Sequence, residues 1–194
     1  MRDMVKPTIS LLVISLVTAL CLAFVNGVTK DTIKQRSEKD EEMQRMQVLS
    51  AAGSFREIDS WRDKDASGII RKAYAAYDGE KLVGYVFSVY PKGYAGEIKV
   101  TVGIDSDKKI SGVMIGDNNE TPGLGSKVTE EKFRGQYSGK DIEKGFIVVK
   151  RPSQADNEIQ AISGATISSK AVTNAVKASA ELSSRLLQDG GEGR

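Results

Sequence analysis

Hydrophobic and polar positions divide the chain sharply. No charged residue occurs from Pro7 to Thr29, and the core of that run reads ISLLVISLVTALCLAFV. As a helix rising ~1.5 Å per residue it is ~34 Å long, enough for a hydrocarbon core of ~30 Å. A cleaved signal peptide with Arg2 and Lys6 as its basic end is the competing reading. The run exceeds the usual ~7–15 residue signal core, and no small-residue cleavage pattern follows it. The expectation is therefore a retained membrane anchor over residues 1–29. Lys30, Lys34, Arg36 and Lys39 follow the span, so the Lys/Arg count leaves its orientation open. Residues 30–53 are charged and rich in helix formers, with only a sparse apolar stripe (Ile33, Met43, Met46, Leu49). They predict a helical stalk that stops at Gly53.

Beyond residue 54 the period changes. RKAYAAYDGEKLVGYVFSVYPKG places β-branched and aromatic residues on either side of Asp78-Gly79, a hairpin signal. EIKVTVGID puts Ile98, Val100, Val102 and Ile104 on one face at period two, and DSDKK turns the chain into ISGVMIGD. Connections this short make the strands antiparallel. The tyrosines at 74, 77, 85, 90 and 94 suit strands, with the alternative that one of them stacks on a planar ring, and Trp61 suits packing. VTEEKFRGQY reads as a short helix with Thr129 as a possible cap, and GFIVVK as a strand. In SSKAVTNAVKASAELSSRLL, the residues Val172, Ala175, Val176, Ser179, Leu182 and Leu186 form one helical stripe. The fold class is α+β: one N-terminal membrane helix, then an antiparallel-sheet domain over 54–188 with a C-terminal helix. Residues 189–194, DGGEGR, predict a disordered tail.

Composition removes several chemistries. The chain of 194 residues has no His and one Cys. A Ser-His-Asp triad, a Cys-His pair, His-ligated zinc or haem and an intramolecular disulfide are excluded, and one Cys does not hold an iron–sulfur cluster. Redox chemistry would need a cofactor held by hydroxyls, backbone and charge. A net charge of +2 without a basic stripe gives no reason to expect nucleic acid.

Two segments carry candidate chemistry. Ser163-Gly164-Ala165-Thr166 stands immediately before the last helix, where unpaired N–H groups and the dipole favour an anion such as phosphate. Ser163, Thr166, Ser168 and Ser169 offer hydroxyls there; the plainer alternative is that one of them caps the helix. No GxxxxGK[ST] P-loop occurs. Glu120-Thr121-Pro122-Gly123-Leu124-Gly125 builds a tight loop whose N–H groups can face a ligand, or else simply connects a strand to a helix. Leu124, apolar between two glycines, is placed to lie against a planar ring.

AISGATISSKAV resembles the flavin-attachment motif of the FMN-binding domain family, and NETPGLGSKV resembles its second signature. The anchored layout resembles the G subunits of Rnf-type ion-translocating ferredoxin:NAD⁺ oxidoreductases. The C subunits of sodium-pumping NADH:quinone oxidoreductases are similar in plan but typically longer. The resemblance implies covalent FMN as a phosphoester on Thr166. It places Ser163, Gly164, Ala165 and Ser168 around the phosphate, and Glu120, Thr121, Gly123, Leu124 and Gly125 against the flavin. It further implies a flavin transferase that uses FAD and magnesium, iron–sulfur and flavin partner subunits, and multi-helix ion-conducting subunits. The domain would be extracytoplasmic, on a single pass of the inner membrane. Two positions depart from the family pattern: Gln160 stands where an acidic residue precedes the Ser, with Asp156 and Glu158 nearby, and Asn118 stands where a His is frequent. Other classes to weigh are a stand-alone anchored flavoprotein reductase and a non-redox envelope binding module.

Overall fold

The computed structural model describes residues 2–189, with the side chains of 2–4, 31, 32 and 189 left out. The tail expected at 189–194 lies outside the described residues except for Asp189, which ends the last helix. The chain forms two compact units, residues 1–43 and 44–194.

Anchor and stalk are one helix rather than two segments. α1 runs from Arg2 to Val48 and includes Pro7. Gly27 lies within this helix without breaking it, and the charged stretch beyond residue 30 is made of helix formers. It is the one helix among the described residues that is long and apolar enough to cross a membrane, and its apolar residues, such as Leu11, Leu22 and Phe24, are exposed. The helix ends at Val48, and a turn leads to Gly53.

The second unit is built on a five-stranded antiparallel meander in the order β1 (Ser54–Ile58), β2 (Ile70–Asp78), β3 (Lys81–Val89), β4 (Val100–Asp105), β5 (Ile110–Ile115). The Asp78-Gly79 hairpin forms as expected, with Asp78 opposite Lys81 and Gly79 at φ 62°. One sheet face carries Phe87, Val100, Val102 and Ile104 against the last helix, α3 (Thr166–Asp189). On α3 the stripe Val172, Ala175, Val176, Ser179, Leu182 and Leu186 is buried. Trp61 packs into the same core. Tyr90 and Tyr94, expected on strands, lie outside them.

Between β5 and α3 the chain makes short pieces. Helix α2 spans only Glu131–Arg134 and passes into a 3-10 turn. Thr129 does not cap it: Glu130 holds the cap position, and the Thr129 hydroxyl donates to the Ser126 carbonyl. GFIVVK supplies β6 (Ile147–Val149), which pairs in parallel with β7 (Glu158–Gln160), a strand too short to leave a periodic signal.

The second sheet face is covered by the end of α1. Val48 and Leu49 are buried with Tyr74, Ala76 and Val86. Gly103 and Gly112 are cross-strand partners, and the Val48 backbone lies against both. The Ser111 hydroxyl donates to the Val48 carbonyl, the Thr101 hydroxyl donates to Gln44 Oε1 at 2.9 Å, and the Arg45 guanidinium sits 4.4 Å from the Tyr74 ring centroid. A Cβ on Gly103 would stand 2.5 Å from the Val48 oxygen. Gly103→Ala is therefore expected to cost about 1–3 kcal/mol, read as a lower urea midpoint of the detergent-solubilised chain followed by Trp61 fluorescence.

Candidate functional site

The loop after β5 is shaped by its own polar groups. The Asn118 side chain donates to the Gly116 carbonyl at 3.1 Å and accepts the Glu120 N–H at 3.3 Å. Thr121-Pro122-Gly123-Leu124 then closes a turn, with the Leu124 N–H donating to the Thr121 carbonyl at 3.1 Å and Gly123 at φ 75°. Pro at the second position and Gly with positive φ at the third suit a type II turn. The Gly123 N–H donates to the Ser126 hydroxyl and the Ser126 N–H to the Thr121 carbonyl. Most of the loop's N–H groups are thus spent internally rather than left to face a ligand. What the turn presents is the Leu124 side chain, 46% exposed.

Glu120 is the hub. It is 5% exposed, and every hydrogen-bond partner of its carboxylate is a donor. Oε1 accepts the N–H groups of Tyr94 and Ala95 at 2.8 and 3.0 Å, and Oε2 accepts the Ser168 hydroxyl at 2.5 Å. Room for the carboxylate comes from two glycines: a Cβ on Gly93 or on Gly125 would collide with one of its oxygens. Three segments far apart in sequence are thereby joined: the 93–96 turn, the 116–125 loop and the first turn of α3.

The segment before α3 is fixed as firmly. The Ser169 hydroxyl, fully buried, accepts the Ile162 N–H at 3.0 Å and donates to the Ala165 carbonyl at 2.9 Å. This closes a turn in which Gly164 has φ 77° and meets the Leu124 side chain. Below it the Thr173 hydroxyl donates to the Ser169 carbonyl and bonds the phenol of Tyr137 at 2.8 Å. Burial pushes that phenol's pKa well above its ordinary value, and the bond to Thr173 offsets this only in part. Upstream, Gln136 pairs both backbone groups of Gln160. The acids near Gln160 form ion pairs: Asp156 with Lys144 at 3.0 Å and Glu158 with Arg151 at 2.6 Å. Hydrogen bonds from these cations hold both carboxyls below the usual carboxylate range.

These elements border an open cavity of about 550 Å³ lined by Glu120, Thr121, Leu124 and Gly125 from the loop, Gly164, Ala165, Thr166, Ile167 and Ser168 from the helix start, and Tyr94. Ser163 instead lines an adjoining groove with Lys127 and Gln160, and Gly123 lies at the back of its turn. The serine hydroxyls divide. Those of Ser168 and Ser169, expected near a phosphate, are spent inside the protein, while Thr166 is half-buried and Ser163 exposed. The first turn of α3 adds N–H groups without partners in the helix and the positive end of its dipole. Tyr94, 70% exposed, is the one of the five tyrosines considered from the sequence that lines the cavity; Ile167, 53% exposed, also lines it and was not singled out.

An apolar flank, a helix N-terminus and an accessible threonine hydroxyl define the class: a site suited to a planar ring bearing a phosphate. Residues 93–181 match the FMN-binding domain family. The chain is 38% identical over 182 residues to the G subunit of the Na⁺-translocating ferredoxin:NAD⁺ oxidoreductase complex of Acetobacterium woodii, covering 89% of this chain and 87% of that one. It is 33% identical over 174 residues to the G subunit of the proton-translocating ferredoxin:NAD⁺ oxidoreductase complex of Clostridium ljungdahlii, covering 90% and 88%. The chain belongs to the family of G subunits of ion-translocating ferredoxin:NAD⁺ oxidoreductase complexes, which carry an FMN-binding domain. Its fold is shared with the crystal structure of the C subunit of the Na⁺-translocating NADH-quinone reductase from Parabacteroides distasonis, with a TM-score of 0.53, 21% identity and coverage of 78% of this chain and 94% of that one.

Removing the Ser169 hydroxyl leaves the Ile162 N–H unpaired. Ser169→Ala is expected to cost about 1–3 kcal/mol and to speed hydrogen exchange at Ile162, measured by mass spectrometry of peptides spanning 158–170.

Proposed function

We propose that this chain is a membrane-anchored flavoprotein subunit that relays electrons within an ion-translocating ferredoxin:NAD⁺ oxidoreductase complex, with FMN held as a phosphoester on Thr166. The observation that carries the reading is the convergence of two distant segments, Glu120–Gly125 and Gly164–Ser168, on one cavity that contains the half-buried Thr166. Its volume falls within the ~300–1,000 Å³ typical of ligand sites. Sequence identity to the G subunits supports the ferredoxin-linked complex, whereas likeness to the quinone-reductase relative is a likeness of fold.

When bound, FMN supplies one- and two-electron redox chemistry. The residues of this chain supply its placement. The first-turn N–H groups of α3 and the Ser163 hydroxyl suit the phosphate. Gly164 and Ala165 keep the backbone close, and Leu124, Tyr94 and Ile167 form an apolar flank for the ring. Thr121, Gly123 and Gly125 act by building the turn that carries Leu124, and Glu120 and Ser168 by bracing it.

Attachment forms a bond between Thr166 Oγ and the FMN phosphorus of FAD and breaks the pyrophosphate link. AMP leaves, and the hydroxyl proton is released. An unactivated hydroxyl needs a base. The chain has no His, and both oxygens of Glu120, the carboxylate lining the cavity, are occupied. We take the activation to come from a separate flavin transferase, as the resemblance to the FMN-binding domain family implies. The partners are iron–sulfur and flavin subunits for electron exchange and multi-helix subunits for the ion. A helix uncharged from Pro7 to Thr29 offers no ion path of its own. We place the domain on the extracytoplasmic face, where an ester retains FMN without a pool of free cofactor.

Co-expression with a flavin transferase, followed by denaturing electrophoresis, tests the reading. The wild-type band should fluoresce and the Thr166→Val band should be dark. A dark wild-type band beside a labelled control flavoprotein refutes covalent attachment.

A further inference from the structure

Resting on the proposal that FMN occupies the cavity, we infer that Glu120 lowers the flavin's redox potential by placing one poorly screened negative charge beside the ring. Among the described residues lining the cavity, Glu120 alone carries a formal charge. It is 5% exposed, so little water screens it. Lys127 and Lys132 line the adjoining groove instead and are exposed, where solvent and salt screen them. The compensation Glu120 does receive is dipolar: the N–H groups of Tyr94 and Ala95, the hydroxyl of Ser168 and the N-terminal end of α3 that carries it. It thus reaches the cavity wall as a net negative charge with no cation lining that wall among the described residues.

The sign follows from charge balance. A flavin that takes up two electrons and one proton gains one negative charge. A fixed carboxylate nearby opposes that gain, and so favours the oxidised form. In the complex the electrons come from a partner protein; in the assay they come from dithionite, which is oxidised to sulfite.

Glu120→Gln isolates the charge from the brace. The glutamine oxygen still accepts from Tyr94 and Ala95, and its NH₂ donates to the Ser168 hydroxyl, which rotates to accept. Ser168→Ala does the reverse: it keeps the charge and removes one compensating donor.

The test is a spectroscopic titration with dithionite and reference dyes at mildly alkaline pH, on full-length flavinylated chain in detergent. In-gel flavin fluorescence is read in parallel as a separate measure of attachment. The expected result is covalent flavin in all three proteins, a midpoint potential shifted upward in Glu120→Gln and one shifted downward in Ser168→Ala. Attached flavin with an unmoved potential in Glu120→Gln overturns the inference. Should Glu120→Gln fail to fold, Ser168→Ala decides: a downward shift supports the inference, and no shift or an upward one overturns it. A wild-type chain that takes no flavin overturns the parent reading and this one with it, an outcome distinct from an attached flavin whose potential does not respond.

Discussion

The buried carboxylate of Glu120 is the constraint around which the second unit's ligand-facing side is arranged. A carboxylate that is 5% exposed costs several kcal/mol unless its oxygens are satisfied. Here they are satisfied by groups from two other parts of the chain. Each donor fixes a piece of the cavity. The Tyr94 and Ala95 N–H groups set the turn from which the Tyr94 ring projects, and the Ser168 hydroxyl sets the start of α3, and with it Thr166. Glycine at positions 93 and 125 is the steric counterpart, since a side chain at either would occupy the space of the carboxylate. Loss of the brace would free the walls of the cavity to move independently while leaving the hydrophobic core intact.

The two adjacent serines show how a short motif distributes its work. Ser168 reaches across to Glu120, and Ser169 reaches back to Ile162 and Ala165. Residues next to each other on a helix point about 100° apart, so one hydroxyl braces the cavity while the other holds the turn below it. Both are spent on placement. Thr166, the proposed attachment point, therefore emerges from a turn whose shape is already determined. The positive φ of Gly164, with Leu124 Cδ2 only 3.3 Å from where a Cβ on it would stand, completes that shape.

How much of this was visible beforehand follows from the range of each interaction. Period-two alternation in EIKVTVGID and the Asp78-Gly79 turn are local, and the meander matches them. So does the stripe on α3, because a single helix face records its own burial. The two ligand segments were recognisable from their glycine spacing and resemblance. Their internal division was not, because it depends on contacts 25 to 48 residues apart: Glu120 with Ala95 and with Ser168. No local pattern marks Ser168 as a partner of Glu120 rather than of a phosphate. Tyr94 read as a strand residue because its period-two context does not show the turn, which is closed by the Gly93 N–H on the Gly96 carbonyl and tied to Glu120 by the Tyr94 and Ala95 N–H groups. The seat of α1 on the Gly103–Gly112 pair is likewise invisible in sequence, where two glycines within strands read as weak points.

The cavity's chemistry also bears on why a covalent link suits it. Among the described residues its wall has one carboxylate, no cation and a helix terminus whose dipole must compensate that carboxylate as well as any phosphate. Side-chain cations are what ordinarily give phosphate sites their affinity. The apolar contribution comes from three partly exposed side chains rather than an enclosing pocket. Non-covalent retention would thus be modest, and weakest for the more negative, reduced state of a flavin. The proposed ester on Thr166 would remove affinity from the problem. The wall is then free to carry a charge that would otherwise work against holding the cofactor, and placement and retention become separate tasks carried by different atoms.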